Sequence, residues 1–215
     1  MTRSYSIKHR REDSGVADRM NLKVAIVDRN KEVVDVFASV FRGLPQVEVR
    51  TGDLLKVCAD ALISAGNSFG DMGGGIDKAI DNRFKGRIQP AVINAIQSLR
   101  LGELPVGDAL VIHFGLKGLK HLVIAPTMRV PGNVERTINA YLAFRGALVA
   151  IASYNASASS PILGIACPGL CTGVGAMPYE TSARQMLAAY RSVALGHWKK
   201  VVHPAMAPFA DHENR

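Results

Sequence analysis

Three short stretches decide the fold: Gly52-Asp53-Leu54, Asp60-Ala61-Leu62-Ile63-Ser64-Ala65-Gly66-Asn67 and Gly73-Gly74-Gly75-Ile76-Asp77-Lys78-Ala79-Ile80. They are typical of a turn, a buried strand that ends in small polar residues, and a glycine loop that opens a helix. Consecutive glycines let the backbone approach a ligand closely, because no Cβ blocks the way. The first N–H groups of the helix favour an anion. With Asp77 in the first helical turn, the sequence predicts a phosphate-bearing ligand beside a carboxylate.

The rest of the chain alternates between strand and helix. We expect strands at residues 22–27, 47–50, 60–65, 109–114, 121–125, 161–166 and 199–203, and helices at 31–41, 76–84, 88–101, 133–154 and 181–195. This alternation indicates an α/β layer fold, with helices on both faces of a largely parallel sheet. Ligands of such sheets bind beyond the carboxyl ends of the strands. The glycine loop and a second loop at residues 167–178 both follow strands directly, so we expect the site at that edge.

The two loops resemble those of the macrodomain family of ADP-ribose-binding modules. The family pattern is Gly-Asp-Ile/Leu, a strand that ends in Asn-Ala-Ala-Asn, and a Gly-Gly-Gly-Val-Asp/Ala loop. Here the strand ends Ser64-Ala65-Gly66-Asn67, and the spacing from Asn67 to Asp77 equals that of the hydrolytic, MacroD-type members. A second block, Ser-Thr-Gly-Val/Ile-aromatic-Gly-x-Pro, is matched with departures by Cys171-Thr172-Gly173-Val174-Gly175-Ala176-Met177-Pro178. The resemblance covers residues 22 to 203 and implies a three-layer α/β/α macrodomain with a mixed, largely parallel central sheet.

The resemblance also implies catalytic roles for two acids. In family hydrolases the carboxylate that matches Asp77 orients or deprotonates the attacking water, which requires it within hydrogen-bond reach of that water. The alternative is that Asp77 only stabilises the dipole of its helix from the first turn. Asp81 lies one turn later on the same face, where several hydrolases have His. It is either a second acid or part of the solvated side of the helix.

Further residues are expected to bind the ligand. Asp53 and the next backbone N–H match the groups that hold the adenine, although Gly-Asp is also common in turns. Asn67 matches a contact to the distal ribose, unless it is only a loop residue, and Ser64 replaces the first Asn of the family with a shorter side chain. His203 follows the last predicted strand, where family members place a residue against the adenine. The expected ligand contacts are Asp53, Leu54, Ser64, Asn67, Gly73, Gly74, Gly75, Ile76, Cys171, Thr172, Gly173, Val174, Gly175 and His203.

The second loop departs from the family in a way that affects the distal ribose. We expect its backbone N–H groups to wrap the diphosphate, as concave turns do for anions. Where the family has an aromatic residue on the distal ribose, this chain has Gly175, so the ribose is expected to sit differently. Arg129, after the strand at 121–125, pairs either with a phosphate or substrate carboxylate or with a surface acid.

Length and composition set the domain organisation. The chain has 215 residues, of which 48% are hydrophobic, which suits one domain with a real core. We assign residues 21–215 to this domain and residues 1–20, which lack apolar periodicity, to a flexible N-terminal extension. No apolar run is long enough for a membrane span and no signal peptide is visible, so we expect a cytoplasmic protein with free thiols. No metal or cofactor is expected.

The charge and the motifs together give the expected function. A formal charge of +8 is consistent with anionic ligands, but no basic and aromatic stripe of the kind that stacks bases is visible. The resemblance implies a macrodomain that binds ADP-ribose or an ADP-ribosylated protein and hydrolyses ester-linked ADP-ribose. One alternative is a non-catalytic ADP-ribose reader, favoured by the missing first Asn and loop aromatic and opposed by Asp77. A nucleic-acid-binding macrodomain is a second alternative, favoured only by the charge. The oligomeric state is not predicted.

Overall fold

A six-stranded sheet forms the centre of the molecule. The computed structural model describes residues 20–206. The strands are β1 (Lys23–Asp28), β2 (Val47–Thr51), β3 (Ala61–Ser64), β4 (Leu110–Leu116), β5 (Leu119–Ile124) and β6 (Gly164–Cys167), in the order β2-β1-β6-β3-β5-β4. All neighbours run parallel except β4, which pairs antiparallel with β5. The carboxyl ends of β1, β2, β3, β5 and β6 therefore share one edge, and the prediction of a mixed, largely parallel sheet is confirmed.

Five helices cover the two faces of the sheet. They are α1 (Lys31–Val40), α2 (Gly75–Arg83), α3 (Ile88–Arg100), α4 (Asn139–Asn155) and α5 (Tyr179–Val193). Residues of α1, α4 and α5 share one hydrophobic cluster, and residues of α2 and α3 share the other. Within β3, Ile63 belongs to the first cluster and Leu62 to the second, because successive side chains of a strand point to opposite faces. The predicted three-layer α/β/α architecture is confirmed.

Local signals explain the start of α1 and the two ends of α3. Asn30 caps α1, since its side-chain oxygen accepts a hydrogen bond from the Glu32 N–H at 2.9 Å. Pro90 lies in the first turn of α3, where a missing N–H costs little. The helix ends before Leu101, which adopts the left-handed conformation with φ of 54°. Capping and proline position were therefore usable signals for the start of these helices.

Two predicted elements differ from the structure. The helix predicted from Asn133 begins only at Asn139, because the chain first forms a turn in which the Thr137 N–H donates to the Val134 carbonyl at 3.1 Å. The strand predicted at residues 199–203 is wrong. Lys199 and Lys200 belong to a 3₁₀ turn, His197–Lys200, residues 201–203 form no regular element, and a second turn, Pro204–Met206, follows. The N–H groups of Lys199 and Val201 donate to nearby carbonyls, which removes them from any pairing with the sheet.

The limits of the described chain bear on two earlier expectations. The predicted N-terminal extension lies outside the described residues apart from Met20, whose N–H donates to the Ala194 carbonyl at 2.9 Å. The assignment of residues 21–215 to one domain stays a prediction. Within residues 20–206, no helix combines the length and the apolar character needed to cross a bilayer.

Candidate functional site

A cavity of about 270 Å³ opens at the carboxyl edge of the sheet. Its walls come from the end of β1, from the loops that follow β3, β5 and β6, and from the start of α2, as expected for a parallel sheet. The lining residues are Asp28, Ala65, Gly66, Asn67, Asp71, Gly74, Gly75, Ile76, Asp77, Thr127, Met128, Pro131, Pro168, Gly169, Cys171, Thr172, Gly173, Val174 and Gly175. The two predicted loops thus meet across a single cavity.

Asp77 is the buried carboxyl group of this cavity. Only 6% of the residue is exposed, and its Oδ1 accepts a hydrogen bond from the Ser64 hydroxyl at 2.5 Å. Within residues 20–206, Oδ2 accepts no hydrogen bond from the protein. Burial raises the pKa of Asp77 to about 6, against the opposing effect of the Ser64 hydrogen bond and with a further upward contribution from the Asp71 charge. A carboxyl group with such a pKa can exchange a proton near neutral pH.

The glycine loop brings the start of α2 to the cavity. Gly74, Gly75 and Ile76 line it, whereas Gly73 does not; the Gly73 N–H donates to the Asp71 carboxylate at 3.0 Å. A Cβ on Gly74 would meet no atom within 4 Å, which shows that this glycine borders open space. Gly75 has φ of 54°, a conformation that favours glycine. The unpaired N–H groups at the start of α2 therefore face a space that an anion can enter.

The second loop forms the opposite wall with all five residues from Cys171 to Gly175. Cys171 has φ of 64° and is buried, and burial raises the pKa of its thiol to about 12, so the group is neutral. The Thr172 hydroxyl donates to the Gly169 carbonyl at 2.8 Å, inside the loop. A Cβ on Gly175 would lie 2.6 Å from the Cys171 carbonyl oxygen and 2.8 Å from Val134 Cγ2. The aromatic residue of the family pattern therefore has no room here.

The segment before α4 fastens this second loop. The Val134 N–H donates to the Gly175 carbonyl at 2.8 Å. Gln185 of α5 donates from Nε2 to the Thr137 carbonyl at 2.8 Å, and its Oε1 accepts the Tyr141 N–H at 3.2 Å. The segment before α4 therefore connects the second loop to α4 and α5.

Asn67 lines the cavity and holds the loop that contains Asp71. Its Nδ2 donates to the Asp71 carbonyl at 2.8 Å, while its Oδ1 accepts the N–H groups of Phe69 and Asp71 at 3.1 and 3.3 Å. Only 7% of the residue is exposed. Its amide is therefore already committed to the loop, in addition to any contact with a ligand.

Asp53 and Leu54 do not line the cavity. Asp53 Oδ1 accepts the Leu55 N–H at 3.0 Å, and Oδ2 accepts a hydrogen bond from Arg29 at 3.1 Å. The bond from the Leu55 N–H, and after it the bond from Arg29, lower the pKa of Asp53 below its usual range. Leu54 is buried in the hydrophobic cluster beneath α2 and α3. Asp28, the last residue of β1, is the acid that reaches the cavity from this side.

Two other predicted site residues lie elsewhere. Asp81 does not share the cavity with Asp77: its Oδ1 accepts the Ile88 and Gln89 N–H groups at 2.9 and 3.0 Å and so caps the start of α3. His203 is exposed outside the cavity lining, because the strand that was to bring it to the sheet edge does not form.

Asp28, Asp71 and the residues around Thr127 and Pro168 also line the cavity, although none of them was predicted from the sequence. Their common signal is position, since each lies at or just after the carboxyl end of a parallel strand or in the loop beyond it. Arg129 forms an ion pair with Glu103, with Nε 2.7 Å from Oε1, and lies 5.4 Å from the centre of the Phe69 ring. Of its two expected roles, the structure shows the surface pair.

Among the described residues, no group of three or more His, Cys, Asp and Glu is arranged to hold a metal ion.

Comparisons with solved structures support the architecture. The macrodomain of Mycobacterium tuberculosis DarG matches with a TM-score of 0.56 and 24% identity, covering 67% of this chain and 90% of that one. A mutant of the Oceanobacillus iheyensis macrodomain, in a structure with ADPR, matches with a TM-score of 0.54 and 21% identity, covering 67% and 75%. At these identities the likeness shows the fold.

Sequence comparisons show the family. An uncharacterized protein of Aeropyrum pernix is 30% identical over 154 residues, which cover 72% of this chain and 75% of that protein. An uncharacterized protein of Pyrobaculum aerophilum is 31% identical over 149 residues, covering 69% and 76%. A sequence model of the Macro domain matches residues 63–186, more than half of the chain and most of the cavity lining. The chain belongs to the macro domain family.

Proposed function

We propose that this chain binds ADP-ribose in the cavity and hydrolyses ADP-ribose that is attached through an ester to a protein side chain, to acetate or to phosphate. The observation that carries the proposal is the buried Asp77 carboxyl group, one oxygen of which accepts no hydrogen bond from residues 20–206, in a cavity between two glycine-rich loops. One of the similar macrodomain structures is a structure with ADPR, which supports this choice of ligand.

The distribution of groups in the cavity fits a ligand with a central diphosphate. The N–H groups at the start of α2 and the backbone of the Cys171–Gly175 loop lie on opposite walls, and both favour an anion between them. The carboxylates of Asp28 and Asp71 lie at other parts of the lining, where they can accept hydrogen bonds from hydroxyl or amino groups. A nucleotide sugar supplies both kinds of group.

In the proposed reaction Asp77 is the general base. With a pKa of about 6 it is mostly ionised at pH 7, yet it is a stronger base than an ordinary carboxylate. Water attacks the anomeric carbon of the distal ribose, and Oδ2 of Asp77 takes one proton of that water. The bond between this carbon and the ester oxygen breaks, so a carboxylate or phosphate leaves with the electron pair and needs no proton. The Asp77 proton then passes to solvent.

Calorimetric titration tests the binding half of the proposal. ADP-ribose is expected to bind more tightly than AMP, because AMP lacks the diphosphate and the distal ribose. Gly74→Val is expected to abolish binding, since its side chain would enter the cavity while its φ of −139° suits valine. Gly132→Val, which changes a glycine outside the lining, is the matched control and keeps the affinity. Unchanged affinity in a folded Gly74→Val protein would refute the assignment of this loop.

A turnover assay on a mono-ADP-ribosylated protein and on O-acetyl-ADP-ribose tests the catalytic half. Asp77→Ala is expected to lower turnover about 100-fold or more, which is the lower end of the contribution of a positioned base. Its affinity for ADP-ribose stays within about tenfold, because the lost interaction acts mainly in the transition state. If the wild-type protein binds ADP-ribose but hydrolyses none of these esters, the chain is a reader of ADP-ribose and not a hydrolase.

A further inference from the structure

Ser64 occupies an unusual place for a residue that was expected to contact the ligand. It is the last residue of β3, only 1% exposed, and does not line the cavity. Its hydroxyl donates to Asp77 Oδ1 at 2.5 Å, from behind the cavity wall. The side chain therefore acts on Asp77 and not on the ligand.

This hydrogen bond makes the two oxygens of Asp77 different. Oδ1 is engaged by Ser64, whereas Oδ2 has no protein donor within the described residues. Gly66 lies beside Oδ2: a Cβ built on this glycine would be 3.4 Å from Oδ2 and 3.6 Å from Ser64 Oγ. No Cβ therefore packs against Oδ2 at this position, and Gly66 itself forms part of the cavity lining.

We propose that Ser64 is a positioning residue for the reaction, whose hydroxyl holds Oδ1 so that Oδ2 alone meets the attacking water, in the space that Gly66 leaves open. The proposal rests on the proposed function of Asp77 as the base. A carboxylate with one fixed oxygen cannot rotate the reacting oxygen away from the water, so less freedom is lost when the transition state forms. Ser64 thus contributes to the rate without touching the substrate.

The charges around Asp77 give the proposal a measurable consequence. Burial favours the protonated carboxyl, and the charge of Asp71 on the neighbouring loop acts in the same direction. Asp28 is the other carboxylate that faces the cavity, from the end of β1. The Ser64 hydroxyl opposes them, because it donates to the charged form. Without this donor, Asp77 keeps its proton to higher pH and becomes a base only in more alkaline solution.

The test compares Ser64→Ala and Ser64→Cys with Ser64→Thr. Alanine removes the donor, cysteine keeps the volume but is a weak donor, and threonine keeps the hydroxyl. The matched control is Ser68→Ala, since Ser68 is an equally buried serine whose hydroxyl has no hydrogen-bond partner among the described residues. Three quantities are measured for each variant: the pH profile of kcat/KM on O-acetyl-ADP-ribose, the ADP-ribose affinity, and the carbon-13 NMR titration of the Asp77 carboxyl group.

We expect Ser64→Ala and Ser64→Cys to lower kcat/KM at pH 7 by about 10- to 100-fold, the range that corresponds to losing a hydrogen bond to a charged group. The acid limb of the profile and the NMR titration midpoint of Asp77 both move to higher pH, while ADP-ribose affinity changes by less than about threefold, because Ser64 does not line the cavity. Ser64→Thr restores both midpoints, and Ser68→Ala behaves as the wild type.

Two outcomes separate this proposal from the proposed function. An Asp77 titration midpoint that is unchanged in both Ser64→Ala and Ser64→Cys overturns the positioning role, whatever the activity. A wild-type protein that hydrolyses no ester refutes the proposed function and, with it, the part of Ser64 in catalysis, even if the NMR midpoints move as expected. Gly66→Ala adds an independent check: it is expected to lower kcat while the Ser64 hydroxyl is retained, and an unchanged kcat would contradict the role given to the space beside Oδ2.

Discussion

Asp77→Asn is expected to stabilise the folded protein at neutral pH. The carboxyl group is buried, and its pKa rises from 3.8 to about 6 on folding. Between these values the folded protein binds more protons than the unfolded chain, so the stability of the wild type falls as the pH rises from about 4 to about 6 and stays low above that range. Asparagine has no charge to bury, and its Oδ1 can still accept from Ser64. The stability of the variant therefore does not fall between about pH 4 and about pH 6 through this group.

The size of the effect follows from the difference between the two pKa values. One pKa unit corresponds to about 1.4 kcal/mol, so Asp77→Asn is expected to raise the free energy of unfolding by about 3 kcal/mol at pH 7.5. At pH 4.5 the folded wild type is already protonated and the unfolded chain largely ionised, and the gain shrinks to about 1 kcal/mol. Urea denaturation at both pH values, followed by circular dichroism, measures this difference.

The control for this experiment is Asp35→Asn, which removes an exposed carboxylate paired with Lys31 on α1. Surface ion pairs contribute about 0–1 kcal/mol, so its effect is small and destabilising at pH 7.5. If Asp77→Asn is no more stable than the wild type at pH 7.5, or if its advantage does not shrink towards pH 4.5, Asp77 does not carry a buried charge and the argument for its raised pKa fails.

Three further substitutions test separate parts of the site. Gly175→Ala is expected to lower the free energy of unfolding by about 1–3 kcal/mol in urea denaturation, because its Cβ would overlap the Cys171 carbonyl oxygen; an unchanged stability would contradict the packing of this loop. Asp81→Ala is expected to cost about 0.5–2 kcal/mol through the lost cap of α3 while turnover stays near wild type, and a large loss of turnover in a folded variant would restore it as a second acid. Asp53→Ala is expected to leave the ADP-ribose affinity close to that of the wild type, because Asp53 lies outside the cavity lining and its carboxylate already accepts from Leu55 and Arg29; a loss of about 1–3 kcal/mol in calorimetry that is absent with ribose phosphate would restore Asp53 as an adenine contact.

The sequence predicted the architecture because its signals are local. The β-branched run before Asp28, the strand that ends at Ser64 and the glycines at 73–75 each specify an element or a turn without reference to the rest of the chain. Rules for parallel sheets then place the loops that follow β3 and β6 at one edge, and the structure shows them there. Asp77 could be singled out for the same reason, since its place in the first turn of α2 follows from the glycine loop alone.

The roles of Ser64 and Asp81 required the structure. Each side chain has a hydrogen-bond partner at least seven positions away in sequence, Asp77 for Ser64 and the start of α3 for Asp81. Such pairs depend on the angle between elements, which local patterns do not specify. The strand predicted at residues 199–203 failed for the opposite reason: its apolar pattern was strand-like, but local backbone hydrogen bonds were satisfied without the sheet.

The hydrogen bonds that hold the second loop in place affect the conformational entropy that the protein loses when a ligand binds. The Gly175 carbonyl accepts the Val134 N–H, and the segment that contains Val134 is held in turn by the Gln185 side chain of α5, which donates to the Thr137 carbonyl. The close packing of Gly175 against Cys171 and Val134 leaves little room for the loop to tighten. This wall therefore already has its bound shape when the ligand arrives. Little conformational entropy remains to be lost by the protein on this side, so more of the free energy of each contact appears as affinity.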